Sequence, residues 1–115
     1  MTIELTDPED AKLLTLARGS RARTHASEGA AVRDTDGRTY TATSVDLPSL
    51  RLSALQVATA VAVSSGVRGI EAGLVIGGDP TTADAGIAAV RDVAGAGVVV
   101  YQASADGNVV GSVTT

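Results

Sequence analysis

The chain has no cysteine, no phenylalanine and no tryptophan, and its one histidine is His25. Each absence removes a class of chemistry. Without cysteine there is no disulfide, no thiolate nucleophile and no sulfur ligand for a metal, and the redox compartment is left open. The only aromatic rings belong to Tyr40 and Tyr101. The core is therefore expected to consist of Val, Leu, Ile and Ala, whose small side chains bring neighbouring elements close together. No stretch approaches the roughly 20 apolar residues of a membrane-spanning helix. The start, Met1-Thr2-Ile3-Glu4-Leu5-Thr6-Asp7, lacks the basic segment and apolar run of a secretory signal. The expectation is a cytoplasmic protein with no membrane partner.

What is present fits one small domain, spanning 1–115. The 115 residues are 44% hydrophobic, enough for one core and too few for two. The formal charge of -4 argues against general nucleic-acid binding, which needs a positive surface to displace counterions. Basic residues do gather at Arg18, Arg21 and Arg23. Two readings stand side by side: a solvated helix end, where cations suit the dipole, or a site for an anion or RNA.

Thr6-Asp7-Pro8-Glu9 reads as a helix start, with Thr6 or Asp7 as cap and proline in the first turn. Leu13, Leu14, Leu16 and Ala17 form its apolar stripe, and the helix is predicted to fade before Ser27-Glu28-Gly29. A hairpin follows, with Ala30–Arg33 and Arg38–Val45 flanking the Asp36-Gly37 turn. Leu47-Pro48-Ser49 breaks the second strand. A second helix is predicted over Leu52–Ser65, apolar on most sides and so expected to be buried on most sides. Ile70–Ile76 and Val98–Tyr101 read as central strands. Between them, Thr82 or Asp84 caps a third helix that runs to about Ala94. A last strand spans Asn108–Val113. The order α-β-β-α-β-α-β-β predicts two right-handed β-α-β crossovers joining parallel strands, and a mixed sheet with an antiparallel hairpin at one side and helices on both faces.

This text resembles the small cytidine deaminase family from about Leu14 to Tyr101. The family reads Val-Gly-Ala-Ala, then a hairpin with Asp-Gly-Arg, then Gly-x-Asn-Val-Glu-Asn. Here stand Glu28-Gly29-Ala30-Ala31, Asp36-Gly37-Arg38-Thr39-Tyr40 and Thr43-Ser44-Val45-Asp46. The family's central helix begins Cys-Ala-Glu-Arg-Thr-Ala and ends Ala-Val-Ser-Glu-Gly. Ser53-Ala54-Leu55-Gln56-Val57-Ala58 leads over the same length to Ala62-Val63-Ser64-Ser65-Gly66. The resemblance implies a three-layer α/β/α cytidine deaminase-like fold, with a mixed five-stranded sheet and helices on both faces.

It also implies a chemistry that this chain cannot carry. Such deaminases hold one zinc ion on three Cys or His ligands and move protons with a Glu. By the helix register, the first ligand position is Ser53 and the proton-shuttle position is Leu55. A neutral hydroxyl replaces thiolate or imidazole poorly, and leucine transfers no proton. The family's Pro-Cys-x-x-Cys region reads Pro80-Thr81-Thr82-Ala83-Asp84-Ala85-Gly86. His25 lies far in sequence from both ligand loops, which favours a helix-surface role. No catalytic residue, no metal ligand and no cofactor is therefore expected.

Binding is what the resemblance leaves open. The family's Asn-x-Glu pair, which contacts the ribose hydroxyls, falls on Ser44 and Asp46. These, with Ser53, Thr81 and Thr82, are the candidate ligand-binding residues; a plain strand end and an ordinary βα turn explain the same residues. No phosphate loop, no Gly-x-Gly-x-x-Gly after a strand and no serine elbow occurs. The expected function is that of a pseudoenzyme acting by protein interaction or by retained nucleoside-type ligand binding, in a homo-oligomer, dimer or tetramer. The alternative is a nucleoside deaminase-related hydrolase with an atypical or metal-free site, which needs convergent polar groups in the old pocket.

Overall fold

The computed structural model describes residues 2–77 and 85–115. Helix α1 spans Pro8–Thr24; the Asp7 side chain accepts the Glu9 N–H at its start, and Glu9 and Asp10 lie in its first turn. Proline is tolerated there because its missing N–H has no partner in the first turn. His25 ends the helix in the left-handed region, at φ 56°, with its N–H on the Arg21 carbonyl.

Strands β1 (Glu28–Asp34) and β2 (Thr39–Thr43) form the first hairpin, turned at Gly37, whose φ is 87°. Asp34 shapes that turn. Its carboxylate accepts the N–H groups of Asp36 and Arg38 and the Tyr40 hydroxyl, each at 2.9 Å. Burial pushes the Asp34 carboxyl up, and these donors outweigh it, so its pKa lies below the ordinary value.

The second strand ends earlier than the sequence pattern predicts, and the segment to Val45 does not continue it. Strands β3 (Val45–Leu47) and β4 (Leu50–Leu52) instead pair with each other across Pro48 and Ser49 as a separate two-stranded ribbon. Proline breaks the long strand, but it also fits the tight turn that starts a new hairpin.

Helix α2 spans Ala54–Ser64, strand β5 Ile70–Gly77, helix α3 Ala85–Ala94, strand β6 Val99–Ala103 and strand β7 Val109–Thr114. The expected caps of the third helix, Thr82 and Asp84, lie outside the described residues. The main sheet has the order β2-β1-β5-β6-β7. β5 and β6 are parallel neighbours across α3. β2 and β5 both run antiparallel to β1, which lies between them, so they are parallel to each other across α2. β7 closes the other edge antiparallel to β6. The sheet is thus mixed and five-stranded as expected, with antiparallel hairpins at both edges rather than one.

Alternation along β1 divides the core. Ala30 and Val32 face α2 and α3, together with Leu55, Ala58, Ile87, Val90 and Val100. Ala31 faces α1, together with Leu13, Ala17, Leu74 and Ile76. Helices therefore cover both faces, in three layers. Arg33 and Asp34 are the buried charged residues among those described; Arg33 lies on the α1 side of the sheet. It bonds Asp10 on α1 at 3.0 Å and Glu71 on β5 at 3.3 Å, and the Tyr101 hydroxyl donates to Asp10 at 2.9 Å. Burial works against the Arg33 charge, but Asp10 and Glu71 more than offset it, and its pKa lies above the ordinary value. Burial, then the bond to Asp10, raises Tyr101. The network ties α1 to β1, β5 and β6.

Helix α2 departs from the expectation of burial on most sides. Ala54, Leu55, Ala58, Thr59 and Ala62 are buried, but Val61 is 40% and Val63 52% exposed. Sheet and α3 cover only one arc of the helix, and its outer apolar arc faces outward.

Candidate functional site

The start of α2 sits beside the start of β1, where Glu28 is paired with Gly77 at the end of β5. This corner holds the residues that the sequence singled out. Ser53 is the N-cap of α2. Its Oγ accepts the Gln56 N–H at 3.1 Å, and the Gln56 Oε1 accepts the Ser53 N–H at 2.9 Å. This is a reciprocal capping box, written in the sequence as Ser-x-x-Gln. The hydroxyl at the family's first ligand position is thus engaged with the backbone of its own helix.

Leu55, two residues on, is fully buried. It belongs to the cluster formed with Ala54, Ala58, Ile87 and Val90. Gly86 on α3 lies directly against it: a Cβ built on Gly86 would fall 2.7 Å from the Leu55 Cβ and 3.0 Å from its Cγ. Leucine therefore fills the space up to the backbone of α3.

Sequence reasoning missed Glu28. Its Oε1 accepts the Ala54 N–H at 3.2 Å, which sets a carboxylate on the N-terminus of α2. Backbone N–H groups and the helix dipole both favour a negative charge there. The signal was present in the text, since glutamate stands where the family reads valine, but the partner lies 26 residues away.

Ser44 also belongs to this corner. Its Oγ accepts the Glu28 N–H at 3.2 Å and lies 3.2 Å from the Ser27 Oγ. Asp46 does not join it. It lies on the exposed β3–β4 ribbon and pairs with Arg51 at 3.3 Å, with both side chains largely in solvent. Thr81 and Thr82 lie outside the described residues. Hence the structure brings Ser44 and Ser53 to the two sides of Glu28 and holds Asp46 apart.

The donor set does not fit zinc. The Ser53 hydroxyl accepts a helix N–H, Leu55 offers no donor, and the chain has no cysteine and a single histidine. His25 caps α1 and is exposed. Among the described residues, no three His, Cys, Asp or Glu side chains gather in a metal-binding group.

The family model described as cytidine deaminase-like matches residues 6–107. The chain belongs to the cytidine deaminase-like family. Solved structures share its fold. The cytidine deaminase from Burkholderia pseudomallei superposes with a TM-score of 0.77 at 20% identity, covering 90% of this chain and 90% of that one. The cytidine deaminase from Mycobacterium leprae gives 0.71 at 18% identity, over 94% of each chain. A mutant cytidine deaminase from Mycobacterium tuberculosis gives 0.68 at 20% identity, over 82% of this chain and 85% of that chain. No curated protein matches the sequence. Within this family fold, the corner at the start of α2 carries a cap, a leucine and a glutamate.

Proposed function

We propose that this chain is a non-catalytic cytidine deaminase-like domain, a single unit over 1–115 that acts by protein interaction or by holding a nucleoside-type ligand. The observation that carries the reading is Leu55. At the position where the family has its proton-shuttle Glu, a fully buried leucine packs against Gly86. Proton transfer to a pyrimidine needs a titratable group within reach of the ring, and this side chain has none.

Of the candidate ligand-binding residues, Ser44 and Ser53, with Thr81 and Thr82, would meet a retained ligand at this corner; Asp46, on the exposed β3–β4 ribbon, would not share that contact. Assembly into a homo-oligomer is supported by the outer face of α2, where Ala60, Val61 and Val63 are exposed on a helix with no charged residue. No helix among the described residues is long and apolar enough to cross a membrane. A cytoplasmic location without cofactor or membrane partner completes the reading.

The test combines metal analysis of the purified chain with ammonia release from cytidine. The expected result is substoichiometric zinc and no ammonia above the uncatalysed rate. Stoichiometric zinc together with deamination refutes the reading. Light scattering at two concentrations tests assembly, and a monomer at both counts against it. The metal-free hydrolase is the less favoured reading. At the start of α2, Ser53 Oγ and Glu28 Oε1 each already accept a backbone N–H of the helix, and Leu55 carries no polar atom in its side chain.

A further inference from the structure

The basic end of α1 is more than a solvated helix terminus. Arg18, Arg21 and His25 line a cleft of about 330 Å³, floored by Ala22, Ala26 and Ala105. The cleft lies on the α1 face of the sheet, at the end where β5 and β6 finish. Two glycines seat the two guanidinium groups. A Cβ built on Gly107, in the β6–β7 turn, would lie 2.8 Å from the Arg18 Nη1. A Cβ built on Gly77, at the end of β5, would lie 2.9 Å from the Arg21 Nε. Both glycines have positive φ, at 92° and 79°, so both turns favour a residue without a side chain. Each guanidinium therefore lies against backbone that any larger residue would crowd.

Among the described residues the ion pairs are those of Arg33 and Arg51, and neither Arg18 nor Arg21 has an ion-pair partner there. Arg21 donates from Nε to the Ser27 carbonyl at 3.2 Å, which fixes the group while its two Nη atoms make no bond to a described residue. Asp106, beside Gly107 in the β6–β7 turn, is occupied within its own turn by Ser104 and Asn108, and the Glu28 carboxylate accepts the Ala54 N–H of α2. Arg23 points elsewhere, to the Ser20 hydroxyl at 3.1 Å.

From this arrangement we propose that the Arg18–Arg21–His25 cleft binds a phosphate group. Forked guanidinium donors match a tetrahedral oxyanion, and charge-assisted bonds of this kind are the strong ones. The chain's net charge of -4 disfavours an extended polyanion, so a compact anion in one cleft is the fitting ligand. The cleft is separate from the Ser53–Leu55 corner, and the proposal does not rest on nucleoside binding there.

The test is an NMR titration of the nitrogen-15-labelled full chain with inorganic phosphate, with ionic strength held constant by sodium chloride. Saturable shifts at the Arg18 and Arg21 Nε and at the His25 and Ala105 amides are expected. Loss of one charge-assisted contact weakens affinity by about tenfold, so Arg18→Gln and Arg21→Gln should each show that drop. Arg18 is exposed, so its variant keeps the fold where Arg21→Gln also loses the Ser27 bond. Parallel titrations with cytidine 5′-monophosphate and with cytidine separate the sources. Tighter binding of the nucleotide than of phosphate assigns a phosphorylated nucleoside, and equal binding assigns the free anion; both support the cleft. No saturable shift, unchanged affinity in Arg18→Gln, or the same shifts with cytidine alone overturns the proposal.

Discussion

Replacing Leu55 by glutamate restores the family's residue type at the shuttle position and measures how closed that position is. Leu55 has no solvent exposure, and Gly86 sits against its Cβ and Cγ. Removing the buried leucine side chain costs about 2 kcal/mol of apolar burial. The new carboxyl then has no water and no cation beside it. Desolvation of that kind raises a glutamate pKa from about 4.3 to about 7. At roughly 1.4 kcal/mol per unit, keeping the group ionised near neutrality adds about 4 kcal/mol. The total, about 6 kcal/mol, approaches the whole stability of a typical domain. The sign of the pH dependence follows from the raised folded value. The variant's deficit relative to the parent is smallest below the unfolded pKa, near 4.3, and grows as pH rises through the folded pKa. Urea denaturation of parent, Leu55→Glu and Leu55→Gln between pH 4 and pH 8 reads this directly. The glutamine variant should show a deficit with little pH dependence. A Leu55→Glu deficit under about 1 kcal/mol, or one flat with pH, would mean that the carboxylate reaches water. The closed pocket, and with it the argument against catalysis, would then be wrong.

Gly86→Ala gains about 1 kcal/mol of helix propensity. Its Cβ nevertheless collides with the Leu55 Cβ, so a net loss of about 1–2 kcal/mol is expected; in thermal melts that loss should persist in a Leu55→Ala background, which keeps the Cβ, and disappear in a Leu55→Gly background. Arg33→Ala leaves Asp10 without its cation inside the α1 interface and should cost about 3 kcal/mol by urea denaturation. A cost under 1 kcal/mol would remove the network from the account of α1 docking. Asp34 has a depressed folded pKa, so its contribution is present above the ordinary carboxylate range and lost as pH falls through the depressed value. Asp34→Asn should therefore flatten the acid limb of a stability–pH curve, and an unchanged limb would assign acid sensitivity to other groups.

Most of the scaffold was legible because local signals carried it. Asp7 with Pro8 started α1, Asp36-Gly37 turned the first hairpin, and the run Ile70–Ile76, with Glu71 as its one charged residue, marked a central strand. The loss at Ser53 and Leu55 was legible too, since it needs only residue identity and helix register. Three features were not. The β3–β4 ribbon was hidden because a proline that ends one strand also turns another. The exposure of Val61 and Val63 was hidden because periodicity reports which sides of a helix are apolar, not how many neighbours cover them. Glu28 was hidden because its partner is far along the chain, and strand text alone does not say which helix end a strand begins beside.

Glu28 also explains how the start of α2 persists without a metal site. A helix N-terminus presents unpaired N–H groups and a partial positive charge. Ser53 satisfies one of those N–H groups and Glu28 another, and Glu28 also brings the negative charge that a neutral serine cannot. If charge is the point, the two residues answer salt differently. Ser53→Ala removes a neutral cap, costs about 1 kcal/mol, and should do so at any ionic strength. Glu28→Gln keeps a carbonyl acceptor for the Ala54 N–H and removes the charge. Its cost, about 0.5–1 kcal/mol at low salt, should shrink as sodium chloride screens the dipole interaction. Urea denaturation at low and at molar salt measures both. A Glu28→Gln cost that holds constant across that range would show the carboxylate acting as a plain acceptor, and the electrostatic account of this corner would fail.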